Sequence, residues 1–131
     1  MVFEHFALNI ENPVEMAFWY VNNLDMKIVR SMDKEPFTTF LADKTGRVVM
    51  EIYCNKTARV PNHKLAHPLE FHFAFMVKDS VAVKDKLLAA GCSLEEEVNL
   101  PDSSLLFMLR DPFGVPLQIC QRANPMMEIK F

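Results

Sequence analysis

Two stretches of this chain repeat one another at a constant spacing, and that spacing restricts the fold more than any other property of the sequence. His5-Phe6-Ala7 recurs as His72-Phe73-Ala74, while Val48, Met50, Glu51 and Ile52 are matched by Val115, Leu117, Gln118 and Ile119. The two offsets agree, 72 − 5 = 67 and 118 − 51 = 67. A chance likeness between apolar segments seldom keeps register over so long a stretch, so the chain reads as one structural unit written twice.

The pattern between those anchors defines the unit. Over 2–10, Phe6, Leu8 and Ile10 alternate with His5, Ala7 and Asn9, the period of a half-buried strand. Asn12-Pro13-Val14-Glu15 then supplies an N-cap, a proline at the first helical position and a glutamate three residues after the cap, predicting a helix to about Val21. Strands are expected over 26–31, 37–42 and 48–53, with a turn at Asp43-Lys44-Thr45-Gly46. The sequence restarts with a strand over 69–77, a helix capped by Asp79 or Ser80 and ended by Gly91, and strands over 93–98, 105–110 and 115–121. The expectation is an α+β fold of two βαβββ units in a single domain spanning 1–131. Repeat one covers 2–53, a linker or lid 54–68, repeat two 69–122, and a C-terminal tail 123–131 that packs on a partner subunit.

Composition excludes several classes of function. A length of 131 residues suits one domain with a real core. The net charge of −3 supplies no broad basic field for phosphates or anionic lipid, so nucleic acid and membrane are not expected as partners. The apolar runs are too short for a membrane span, and Glu4 and His5 interrupt any signal-peptide pattern, which points to the cytoplasm. Cys54, Cys92 and Cys120 match no zinc-ribbon or redox-pair spacing and are read as free thiols.

In each matched strand a polar residue stands opposite the aliphatic row: His5, Glu51, His72 and Gln118. Singly, a strand histidine is usually a hydrogen-bonded core residue and a lone glutamate a surface one. Together, two imidazoles, a carboxylate and an amide oxygen at symmetry-related places form a nitrogen and oxygen donor set suited to divalent zinc, nickel, cobalt, manganese or iron.

His5, Val49-Met50-Glu51-Ile52, Glu70-Phe71-His72-Phe73-Ala74, and Asp111-Pro112-Phe113-Gly114 followed by Gln118 carry a resemblance. The chain is similar, over about residues 2–122, to the vicinal oxygen chelate superfamily of glyoxalase I, bleomycin resistance proteins and extradiol dioxygenases, and most of all to short bacterial glyoxalase I proteins. The resemblance implies half-barrels around a ligand or metal cleft, a small-molecule substrate, and a homodimer. It also implies a metal-dependent lyase or isomerase, with a methylmalonyl-CoA-epimerase-like isomerase or a non-catalytic drug- or metabolite-binding protein as the alternatives. Two positions depart from glyoxalase I. Gln118 replaces its last glutamate, and an amide cannot act as a general base, so proton transfer falls to Glu51. Asn9 stands where an arginine would hold the glutathione carboxylate.

Overall fold

The structure, a computed structural model, describes residues 1–128 in two compact units, one of residues 1–61 and one beginning at Asn62. Residues 129–131 of the expected tail lie outside the described residues. Each unit carries one copy of the repeat, a four-stranded sheet with one helix. The α+β class and the paired βαβββ plan are therefore as expected.

The first unit runs β1 (Phe6–Asn9), α1 (Pro13–Asn23), β2 (Lys27–Ser31), β3 (Thr39–Ala42) and β4 (Val48–Tyr53), in the sheet order β1-β4-β3-β2. β1 lies parallel to β4, and the other pairs are antiparallel. Pro13 opens α1, where its missing N–H costs no hydrogen bond. Asn12 occupies the cap position, but only its backbone carbonyl is used, accepting from Met16 N at 3.0 Å. Met16, Ala17 and Tyr20 are buried where α1 packs on β2, β3 and β4. Leu8, Leu41, Met50 and Ile52 form the buried row of the sheet. Ala7, Phe40 and Glu51, which are register partners and so share a face, form the opposite row. The first strand is shorter than the alternation suggested. Its ladder begins at the Phe6–Met50 pair, next to a β-bulge at Val49, and residues 2–5 stand outside it.

The second unit repeats the plan with β5 (Phe73–Met76), α2 (Ser80–Ala89), β6 (Ser93–Asn99), β7 (Leu105–Arg110) and β8 (Pro116–Gln121), in the order β5-β8-β7-β6. Asp79 caps α2, its side chain accepting from Ala82 N at 2.9 Å. Ser80 is fully buried and donates from N and Oγ to Gln121 Oε1, tying the helix start to β8. Gly91, at φ +104, ends the helix in a conformation that favours glycine. Leu87 of α2 and Phe107, Leu109, Leu117 and Ile119 of the sheet are buried.

The backbone pairing reproduces the sequence repeat residue by residue. Phe6–Met50, Ala7–Glu51, Leu8–Ile52 and Asn9–Tyr53 become Phe73–Leu117, Ala74–Gln118, Phe75–Ile119 and Met76–Cys120, all displaced by 67. Both edge strands also bulge at matching places, Val29 in β2 and Glu95 in β6. The displacement of 67 holds for the β1–β4 and β5–β8 pairs only: it is 66 at the edge-strand bulges (95 − 29) and 68 between β3 and β7, where Leu41 and Leu109 pair with Met50 and Leu117, and it stays 68 through the following turn. Asp43 and Gly46 make the contacts that Asp111 and Gly114 make in the second unit, a displacement of 111 − 43 = 68. The bulged Val49 has no counterpart and restores the displacement to 67. Val48 consequently occupies the place of Pro116, not of Val115 as the sequence alignment suggested.

Arg110 organises the start of the second unit. Its guanidinium donates to the carbonyls of His63 (2.9 Å), Gly114 (2.9 Å) and Ala66 (3.1 Å), and to Glu95 Oε1 (2.7 Å). The 3₁₀ turn His63–Leu65 is thus pinned to the end of β7. Gly114 completes the junction, because a Cβ there would lie 2.9 Å from Lys64 N.

Candidate metal and proton-transfer site

In the first unit β1 and β4 bring His5 and Glu51 together. Glu51 pairs directly with Ala7, two residues beyond His5, so both side chains stand on the row opposite the buried one. His5 Nε2 is 3.2 Å from Glu51 Oε2, and the two side chains are 26% and 20% exposed. Donors about 2.0–2.1 Å from a common divalent ion are separated by roughly 2.9–3.4 Å for angles between octahedral and tetrahedral, so this spacing fits two ligands of one metal. The Phe40 ring packs against the imidazole in a T-shaped contact, with centroids 5.3 Å apart at 80°. Ala7, small and exposed, leaves the flank of Glu51 clear.

The other nitrogen of His5 is unusual. Nδ1 is shielded from solvent and makes no hydrogen bond, although Glu4 Oε2 lies 3.1 Å away. The separation is that of an ion pair, but the present direction is not that of a hydrogen bond.

In the second unit His72 Nδ1 is 2.8 Å from the carbonyl of Pro68. A carbonyl can only accept, so Nδ1 carries the proton, and the neutral ring keeps its lone pair on Nε2. Metal-binding histidines are commonly oriented by this kind of contact. The acceptor is itself anchored. Ala66 is held by Arg110, and Glu70 turns back to His67 through its backbone N–H and through Oε2, which accepts from His67 N at 2.9 Å. Gln118 is paired with Ala74, as Glu51 is with Ala7, and its Oε1 accepts from the Cys120 thiol at 3.1 Å. Burial pushes the Cys120 thiol up, keeping it protonated and able to donate.

The described residues thus place the four expected donors as two pairs of local arrangements, His5 with Glu51 in one unit and His72 and Gln118, each with its own partner, in the other. No group of three or more His, Cys, Asp or Glu side chains able to hold a metal occurs among the described residues. The sequence did not reveal the roles of Glu4, Asn9, Pro68, Arg110 and Cys120. Asn9 Nδ2 donates to the carbonyls of Asn55 (2.8 Å) and Arg59 (3.4 Å), and Asn9 Oδ1 accepts from Asn55 N (2.8 Å), so it fastens the segment after β4. An arginine followed by the Asp111-Pro112-Phe113-Gly114 turn was the available signal for Arg110; Glu4 gave none beyond its adjacency to His5.

A family model described as the Glyoxalase/Bleomycin resistance protein/Dioxygenase superfamily matches residues 2–119. The chain belongs to that superfamily. Solved structures share its fold. An antibiotic-binding protein from a Streptomyces species superposes with a TM-score of 0.68 at 14% identity, covering 94% of this chain and 97% of its own. A lactoylglutathione lyase from Agrobacterium tumefaciens gives 0.66 at 15% identity, covering 92% of each chain. A glyoxalase family protein from Enterococcus faecalis gives 0.65 at 21% identity, covering 92% and 97%. No curated protein matches the sequence. Within the superfamily, then, likeness alone does not choose between catalysis and ligand capture. No helix among the described residues is long and apolar enough to cross a membrane.

Proposed function

We propose that this protein is a glyoxalase-like lyase or isomerase that uses a divalent metal to act on a small oxygenated substrate, with His5, Glu51, His72 and Gln118 as the donors. The single observation that supports it is the 3.2 Å approach of His5 Nε2 to Glu51 Oε2, the spacing of two ligands of one ion. A divalent ion bound there would polarise neighbouring substrate oxygens and acidify the adjoining C–H. Glu51 takes and returns the proton at that carbon, because it is the only carboxylate among the four and Gln118 can only bind and orient. His72 offers Nε2, and the Cys120 thiol directs Gln118 Oε1.

The proposal includes a cytoplasmic homodimer; in a swapped arrangement His5 and Glu51 of one copy would face His72 and Gln118 of the other, giving two equivalent sites related by a two-fold axis. Elemental analysis of purified protein and of Glu51→Ala, followed by a screen of hemithioacetals, 2-oxo compounds and 2-methyl acyl thioesters, tests the reading. Expected are about one metal per chain, turnover in one substrate class, and loss of both in Glu51→Ala. Failure of the parent to take up any divalent ion sinks it and leaves metal-free ligand capture. One feature favours that second reading: Phe40 and Tyr53 share the sheet face of Glu51 and give it aromatic surface.

A further inference from the structure

We infer that Arg30 decides which substrates the site accepts, by holding an oxyanion at the far end of a small molecule whose oxygenated carbons lie at Glu51. The inference rests on the proposed function for what happens at Glu51, but the anion subsite itself needs no metal.

The sheet brings these residues to one face. Ala7 in β1 pairs with Glu51 in β4, Glu51 with Phe40 in β3, and Phe40 with Arg30 in β2. Partners directly across neighbouring strands share a face, so a carboxylate, an aromatic ring and a guanidinium stand in one row. Two strand spacings put the Glu51 and Arg30 backbones roughly 10 Å apart. Phe40, between them, is half-buried and packs its ring against His5. A molecule engaged at Glu51 and extending towards the β2 edge therefore crosses an apolar ring and ends at a permanent positive charge, whose fork of N–H groups suits a carboxylate or a phosphate.

Arg30 is free to receive such a group. It is exposed, and its guanidinium makes no hydrogen bond or ion pair with a described residue, although Asp33 and Glu35 follow closely in the chain. Arg47 and Arg110, by contrast, are occupied with backbone carbonyls. The second repeat lacks the device. Its matching row is Ala74, Gln118, Met108 and Glu96. An amide, a thioether and a carboxylate replace the carboxylate, ring and guanidinium, so an anion is drawn to the edge of the first unit's row and repelled from that of the second. With a net charge of −3 the protein has no general attraction for anions, which leaves the discrimination to a local charge.

The test measures binding by calorimetry at pH 7, with the full chain first metal-free and then with Zn²⁺. Three probes share a 2-oxo acid head and differ in the tail: 2-oxopentanoate ends in a methyl group, 2-oxoglutarate in a carboxylate and 2-oxo-4-phosphonobutanoate in a phosphonate. At least one charged-tail probe should bind the parent about tenfold more tightly than 2-oxopentanoate, the worth of one charge-assisted hydrogen bond, and the better of the two tells carboxylate from phosphate. Arg30→Ala should abolish this ratio and leave 2-oxopentanoate binding unchanged, while Arg30→Lys, a point charge, should keep part of it. Lys34→Ala removes the same charge from an exposed position between β2 and β3 and should keep the ratio. Equal binding of the three probes by the parent overturns the inference, as do a ratio that survives Arg30→Ala, a ratio lost equally in Lys34→Ala, and binding of no probe with or without Zn²⁺. If the parent takes up no Zn²⁺, the proposed function fails, while the ratio in the metal-free protein still decides the role of Arg30. Circular dichroism verifies folding of each variant; should Arg30→Ala unfold, Arg30→Gln is read by the same ratio, which must then be lost.

Discussion

At the scale of single residues, the difference between Glu51 and Gln118 is one charge at repeat-related positions, and it divides their chemistry. With two imidazoles and an amide, the donor set opposes a divalent ion with one negative charge. Gln118→Glu is therefore expected to bind metal more tightly than the parent, and Glu51→Gln to lose nearly all binding; chelator competition at pH 7 reads both, and a Glu51→Gln protein that binds as well as the parent refutes the assignment. Gly114 carries a different kind of demand. At φ +89, with Lys64 N 2.9 Å and Lys64 Cα 3.2 Å from where a Cβ would sit, Gly114→Ala strains the backbone and collides with main chain. A loss of about 1–3 kcal/mol in urea unfolding is expected. Cys92 makes stability depend on alkaline pH. Burial, with a smaller contribution from the Asp111 carboxylate, pushes its thiol from 9.0 up to about 12. The folded state keeps a proton that the unfolded chain releases near pH 9, so this contribution is complete below pH 9 and disappears as pH rises towards 12. Urea midpoints over that range should fall for the parent and fall less steeply for Cys92→Ala.

At the scale of elements, Arg110 shows how a strand end governs a distant segment. Three carbonyls and Glu95 share its guanidinium, and the fork geometry is what lets one side chain hold the 63–66 turn against β7. Glu95 reaches it from the bulge in β6, whereas the matching bulge in β2 presents Val29 and makes no such contact. Arg110→Ala should cost about 2–3 kcal/mol and raise amide exchange through 63–68, and Arg110→Lys should recover little because an ammonium cannot span the three carbonyls. Unchanged exchange in that segment would dismiss the clamp. The element level also shows what the sequence could and could not convey. Helix starts were readable from Pro13 and Asp79, and β7 from its continuous apolar run Leu105–Leu109, because these signals are local. Strand starts at Phe6 and Phe73 were not, since the flanking alternation continues while the ladder partner does not. The donor positions were readable as a face, through period two and the constant displacement. Their partners were not, because Pro68 and Cys120 contribute through a carbonyl and a thiol that no residue pattern marks.

At the scale of the whole molecule, the two units are the same plan built with different fastenings. Asn9 ties the segment after β4 in the first, and Arg110 pins the segment before β5 in the second. The exposed Val2 and Phe3 of the first unit and Leu69, Met126 and Met127 of the second are apolar surface that a homodimer would cover. Light scattering at micromolar concentration should give about twice the 15.1 kDa chain mass, and a monomer mass refutes the dimer. The bulge at Val49 has a consequence for how such a duplicated chain tolerates change. β8 makes the same ladder without an extra residue, since Arg110–Pro116 is followed directly by Leu109–Leu117, whereas Ala42–Val48 reaches Leu41–Met50 only by stepping over Val49. Val49 acts as an expansion joint: it absorbs a residue of added length between the turn and the donor strand without rotating Glu51 off its face. Removing it should leave a folded protein with His5 and Glu51 still adjacent, making the two halves interchangeable in length from the turn onwards.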